Sequence, residues 1–172
     1  MTLTSALIDS SPFAEMRDEP GKQRRAVYLH PGRLLVATEA CAITTILGSC
    51  VAVCLWDPML QIGGINHYLL PYGSGGGPAS VRFGNVATES LIEELSKRGS
   101  LKTSLQAKVF GGACLLESFQ TGGNDLGGKN AEVALSVLAR FGIPVLAEDT
   151  GGRRGRKLIF NTDDGTAWVK KI

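Results

Sequence analysis

Two apolar runs with almost nothing between them restrict this chain more than any other feature. Gly48-Ser49 breaks the backbone, Cys50 opens the run Val51-Ala52-Val53-Cys54-Leu55-Trp56 that ends at Asp57-Pro58, and a second run, Gln61 to Leu70, begins after a short turn. A short apolar run bounded by turn residues reads as a buried strand, and two strands joined this tightly pair antiparallel. In such a hairpin, turning near Pro58–Leu60, Cys50 and His67 fall at comparable heights on neighbouring strands. A thiol beside an imidazole is the minimal activated nucleophile.

Other readings of the same residues stand beside this one. Free cysteines are among the most buried residue types and act as small hydrophobes. Cys50 and Cys54 also share a face at i, i+4, and His67 would make a third zinc ligand. Structural zinc takes a compact four-ligand set, however, and Cys41 and Cys114 have no matching pair spacing. Glycine inside a strand pattern marks either a bulge or a kink. A bulge at Gly48-Ser49 lifts Cys50 out of the ladder and leaves nearby N–H groups free, which is what an oxyanion hole requires; a kink does nothing further.

The rest of the chain supplies layers for the hairpin. Ala26–Leu29, Arg33–Thr38 and Ala42–Leu47 read as strands, with His30-Pro31-Gly32 an exposed turn between the first two. The glycine-rich stretch 72–78 lacks phosphate-loop spacing and sits just after His67, as a lid at the mouth of a site would. Asn85 to Arg98 reads as a helix capped by Asn85, with Val86, Leu91, Ile92 and Leu95 on its apolar side and Gly99 at its end. Leu105–Phe110 is a strand, Thr121–Asp125 a loop, and Lys129–Phe141 a second helix stopped by Gly142. Cys114 reads as a packing residue. Ile143–Ala147, Lys157–Phe160 and Ala167–Lys170 are strands, the last two joined at Asp164-Gly165. The basic turn Thr150–Arg156 is either a solvated face or a surface for an acidic partner.

This order, strands with early and late hairpins around two helices, predicts an α+β fold: a single-domain layered α/β sandwich with mostly antiparallel strands and two main helices. Residues 1–23 show little periodicity and read as a flexible leader, with one domain over 24–172. A chain of 172 residues with 44% hydrophobic content is large enough for a real core. The net charge of +2 argues against a nucleic-acid partner. No apolar run reaches the length of a membrane helix, and residues 1–20 lack the basic start and apolar core of a secretory signal. Four cysteines in a chain of this size do not form a disulfide framework, so a reduced, cytoplasmic protein is expected.

One resemblance covers nearly everything after residue 27. Leu47-Gly48-Ser49-Cys50-Val51-Ala52-Val53-Cys54-Leu55-Trp56-Asp57-Pro58, Ile62 to Pro71, Lys108-Val109-Phe110-Gly111-Gly112-Ala113, Leu126-Gly127-Gly128-Lys129-Asn130 and Ala147 to Lys157 closely resemble, in order, the chemoreceptor glutamine deamidases of the CheD family. The resemblance implies a fold akin to toxin-type glutamine deamidases. It implies Cys50 as nucleophile, His67 as base, and Thr44 orienting the imidazole through its hydroxyl or carbonyl. It implies conversion of glutamines on the cytoplasmic helices of methyl-accepting chemotaxis receptors to glutamate, through a thioester and with no cofactor or metal. In some bacteria members also bind a CheC-type phosphatase, and some show methylesterase activity. Two readings from other classes remain: a chemotaxis docking module with little catalysis, and a thiol-based zinc or redox protein.

Overall fold

The computed structural model describes residues 23–74, 78–114 and 125–172. Among these, nine strands and two helices follow in the order β1 (Arg25–Tyr28), β2 (Arg33–Ala37), β3 (Cys41–Leu47), β4 (Val51–Asp57), β5 (Ile62–His67), α1 (Gly84–Lys97), β6 (Gln106–Gly111), α2 (Leu126–Arg140), β7 (Val145–Thr150), β8 (Arg156–Asn161) and β9 (Ala167–Lys171). The leader expected over residues 1–23 lies outside the described residues except for its last, and so does most of the loop expected at 121–125. No helix among the described residues is long and apolar enough to cross a membrane.

The strands form two sheets, ordered β1-β3-β8-β9 and β2-β5-β4-β6-β7. Only β1–β3 and β6–β7 pair in parallel; the other neighbours are antiparallel. The fold is therefore α+β with mostly antiparallel strands and two helices, as the order of the elements implies. Side-chain alternation explains the layering. Along β3, Cys41, Ile43, Thr45 and Leu47 are buried, whereas Ala42 and Thr44 are half-buried and Ile46 is exposed. The inward set meets Ala52, Cys54, Ile65, Phe110, Leu158 and Phe160 in a core between the two sheets. The five-stranded sheet turns its other face to the helices: Val51, Val53, Leu55 and Val109 pack there on Leu91, Leu95, Val133 and Leu138. Strand β4 is thus buried on both faces, which is why its sequence is a continuous apolar run rather than an alternating one. Each such leucine contributes about 2 kcal/mol by leaving water.

Asp57 closes the central hairpin. It is buried, and its Oδ1 accepts from the Met59 N–H at 2.8 Å and the Leu60 N–H at 3.2 Å, folding the chain back through its own side chain. Two local expectations change. Helix α1 begins at Gly84 with Phe83 at the cap position and no side-chain cap; Asn85 instead exchanges two hydrogen bonds of 3.1 Å with the backbone of Gly73. The carboxamide satisfies a donor and an acceptor there, where a cap satisfies one donor. Strand β7 runs to Thr150, past its expected end at Ala147, because parallel pairing with β6 carries Asp149 and Thr150 along Phe110 and Gly111.

Candidate active site

The β4–β5 ladder holds its regular register from Asp57–Ile62 to Cys54–Ile65, loosens, and resumes at the bridge Val51–Tyr68. In the gap the Val53 N–H is taken by Asn66 Oδ1 at 2.8 Å instead of by a carbonyl. The same register puts His67 opposite Ala52, and Cys50 one step along the same face as its diagonal neighbour. That face is the space between the sheets: Cys50 packs on its core, and His67 reaches across to β3. The chain bends at Gly48-Ser49, so Cys50 stands at the end of β4 rather than within it, half-buried.

His67 is buried, and its environment fixes its protonation. Thr45 Oγ1 lies 2.8 Å from His67 Nδ1 and 2.8 Å from the Leu29 carbonyl. A carbonyl only accepts, so the single hydroxyl proton of Thr45 goes to Leu29. The oxygen must then accept from His67, which places the imidazole proton on Nδ1. Burial lowers the His67 pKa to about 4, so the ring is neutral at pH 7 and Nε2 carries a lone pair. Nε2 is buried with no hydrogen-bond partner. Burial also pushes the Cys50 thiol up, partly offset by its own backbone N–H. At rest Cys50 is thus a thiol and His67 a neutral imidazole.

The structure brings Cys50 and His67 to one face, and the hydroxyl beside His67 Nδ1 is that of Thr45 rather than Thr44. Thr44 lies on the other face of β3, and its carbonyl is occupied by the Leu29 N–H at 2.9 Å. Burial alternation along β3 is the signal that distinguishes the two: Thr45 shares parity with Ile43 and Leu47. Cys54 is buried in the core, and burial drives its thiol pKa far up, which makes it a packing residue. Among the described residues no cluster of three or more His, Cys, Asp or Glu side chains is arranged to hold a metal ion.

The remaining motifs converge on the backbone around Cys50. The carbonyls of Gly48, Ser49 and Cys50 are bound by the Ala113 N–H at 2.8 Å, Asn130 Nδ2 at 2.9 Å and the Gly112 N–H at 2.8 Å. These approaches need glycine. A Cβ on Gly111, whose φ is +114°, would sit 2.2 Å from the Cys50 carbonyl oxygen, and one on Gly127 would sit 2.3 Å from the Gly112 carbonyl oxygen. The basic turn docks on the same segment, through Gly151 N–H to Gly111 at 3.0 Å and Cys114 N–H to Gly152 at 2.8 Å. Arg156 is buried and braces this turn by binding Asp149 and the Gly151 carbonyl, each at 2.8 Å, which holds the Asp149 carboxyl below its usual range. Arg153 and Arg154 stay exposed. Of the stretch 72–78, Gly73 is fastened to Asn85, and residues 75–77 lie outside the described residues.

A layered α+β domain with a thiol and a neutral, oriented imidazole on one inter-sheet face has the groups that thiol-dependent hydrolases use. Comparison with known proteins narrows the class. A family model described as CheD chemotactic sensory transduction matches residues 69–171. A probable chemoreceptor glutamine deamidase of Anaeromyxobacter dehalogenans is 47% identical over all of both chains. Its counterpart from Trichlorobacter lovleyi is 46% identical over 87% of this chain and 92% of its own, and that from Stenotrophomonas maltophilia is 45% identical over 87% and 75%. The chain belongs to the CheD family.

Proposed function

We propose that this protein is an amidohydrolase that converts glutamine side chains of chemoreceptors to glutamate, with Cys50 as nucleophile, His67 as base and Thr45 as the residue that holds the base. The observation that carries the chemistry is the Thr45 hydroxyl shared between Leu29 and His67, which leaves a bare Nε2 on the face occupied by Cys50. The names of the family relatives support the substrate. His67 Nε2 takes the thiol proton as Cys50 sulfur attacks the carboxamide carbon. The negative charge moves onto the carboxamide oxygen and is met by backbone N–H groups of the Gly48–Cys50 segment. The C–N bond then breaks, the imidazolium gives its proton to the departing nitrogen, and ammonia leaves. Water, deprotonated by the same imidazole, attacks the thioester, and the carbon–sulfur bond breaks to release glutamate and restore the thiol. Cys41, Cys50 and Cys54 are thiols, which suits the reducing cytoplasm, where the receptors' signalling helices lie.

The test is incubation with a cytoplasmic receptor fragment, followed by peptide mass spectrometry. Glutamate is expected at a few discrete glutamines. A fragment that binds but gains no glutamate would overturn the reading and leave a docking role, toward receptors or a CheC-type phosphatase.

The depressed His67 pKa gives a pH signature. An imidazole titrating at 6.5 would be only about one-tenth neutral at pH 5.5, whereas one titrating at about 4 stays neutral. The expected kcat/KM at pH 5.5 is therefore within about twofold of that at pH 7.5; an acid limb centred near 6.5 would contradict the assignment. The same shift acts on stability. Between the two pKa values the unfolded chain binds the proton and the folded one does not, so stability is full above about 6.5 and is lost as pH falls toward 4. The contribution at stake is on the order of 3 kcal/mol, readable as a decline in Tm over that window.

A further inference from the structure

The proton transfers leave the segment Leu126-Gly127-Gly128-Lys129-Asn130 without a task, yet its last residue reaches the site from the far side of the central sheet. Asn130 is fully buried, with no exposed surface. Its Nδ2 donates to the Ser49 carbonyl at 2.9 Å and to the Leu69 carbonyl at 3.0 Å, and its own backbone carbonyl accepts from the Tyr68 hydroxyl. Ser49 directly precedes Cys50; Leu69 lies two residues beyond His67 and, by the register of the Val51–Tyr68 bridge, opposite Cys50. One carboxamide nitrogen thus pins the segment before the thiol to the segment after the imidazole. Both partners only accept, so the site requires a group with two N–H donors on one short stem, which asparagine supplies.

We infer that Asn130 is a positioning residue for the deamidation: it aims the Cys50 N–H at the oxyanion. The argument is one of peptide geometry. In a trans peptide the C=O and the following N–H point in opposite directions. Holding the Ser49 carbonyl toward Asn130 turns the Cys50 N–H the other way, while the Gly48 carbonyl is held separately by the Ala113 N–H. The Cys50 N–H is thereby turned away from Asn130 and left to meet the oxyanion of a carboxamide bound at Cys50. Because that charge exists only in the transition state, the brace acts on kcat and not on substrate binding.

The inference rests on the deamidase reading, and its test separates the two. Asn130→Asp keeps the size and removes the nitrogen donors. Asn130→Ser keeps a single hydroxyl donor and serves where the aspartate variant fails to fold. Val133→Ala trims a buried residue of the same helix and reports plain destabilisation. With the variants compared below their Tm values, Asn130→Asp is expected to lower kcat about 100-fold with KM changed less than about threefold, and Asn130→Ser to fall between. Amide exchange at Val51, whose N–H donates to the Tyr68 carbonyl at 3.2 Å, is expected to quicken about tenfold in the Asn130 variants and not in Val133→Ala at equal loss of Tm. Asn130 variants that keep the kcat and the exchange protection of Val133→Ala would overturn the inference. If the unaltered protein makes no glutamate at all, the deamidase reading fails, and the exchange comparison alone decides whether Asn130 holds the Cys50 segment.

Discussion

Cys50→Ala is expected to abolish glutamine conversion, lowering kcat at least about 10⁴-fold, because no other group in the site can form the covalent bond. The fold should survive. Cys50 is half-buried at the end of β4, so losing one sulfur costs about 1 kcal/mol, within the ordinary range of point substitutions. Cys54→Ala is the informative contrast. That thiol is fully buried between the sheets, and its burial disfavours the thiolate. Its replacement should lower Tm through the cavity it leaves and spare the chemistry. Measured on the same receptor fragment, conversion lost in Cys54→Ala and kept in Cys50→Ala would reverse the assignment.

The second large effect concerns the two neighbouring threonines. Thr45→Val removes the hydroxyl that accepts the Nδ1 proton of His67, at nearly constant volume. The imidazole is then free to hold its proton on the wrong nitrogen, and kcat is expected to drop about 100-fold or more, as when a triad loses the group that orients its base. A stability loss of about 1–3 kcal/mol should accompany it, since the Leu29 carbonyl and the imidazole N–H are left buried without partners. Thr44→Val, on the other face of β3 and with its carbonyl already bound by Leu29, should behave like the unaltered protein in both respects. Kinetics and thermal melts of the two variants side by side decide it; a catalytic loss in Thr44→Val alone would show that the third position lies where the family resemblance puts it.

That one-residue difference shows where sequence reading stops. The hairpin carrying Cys50 and His67 was legible because its apolar runs and Asp57 turn are local signals, and the order of strands and helices gave the fold class for the same reason. The choice between Thr44 and Thr45 was not local. Successive strand residues face opposite sides, so a shift of one residue exchanges the face a side chain presents. The buried parity of Ile43, Thr45 and Leu47 tells which hydroxyl faces His67, but only once the layer above β3 is known. Asn130 was harder still: an asparagine early in a helix has no local reason to be buried, and its task exists only because α2 docks against the ends of β4 and β5. The end of β7 moved for the same kind of reason, through pairing with β6.

The brace around Cys50 also bears on when the protein becomes active as it is made. The segments that meet there are far apart in the chain: Ser49 and Asn130 are separated by 81 residues, and Leu69 and Asn130 by 61. Contacts of such separation form only after the entropy of closing long loops has been met, which makes them late products of folding. A nascent chain still lacking α2 and the turn after β7 therefore carries Cys50 as an ordinary thiol on a loosely held segment. The contacts that hold this segment are complete only with the last third of the sequence, so the chemistry proposed for Cys50 would wait on its synthesis.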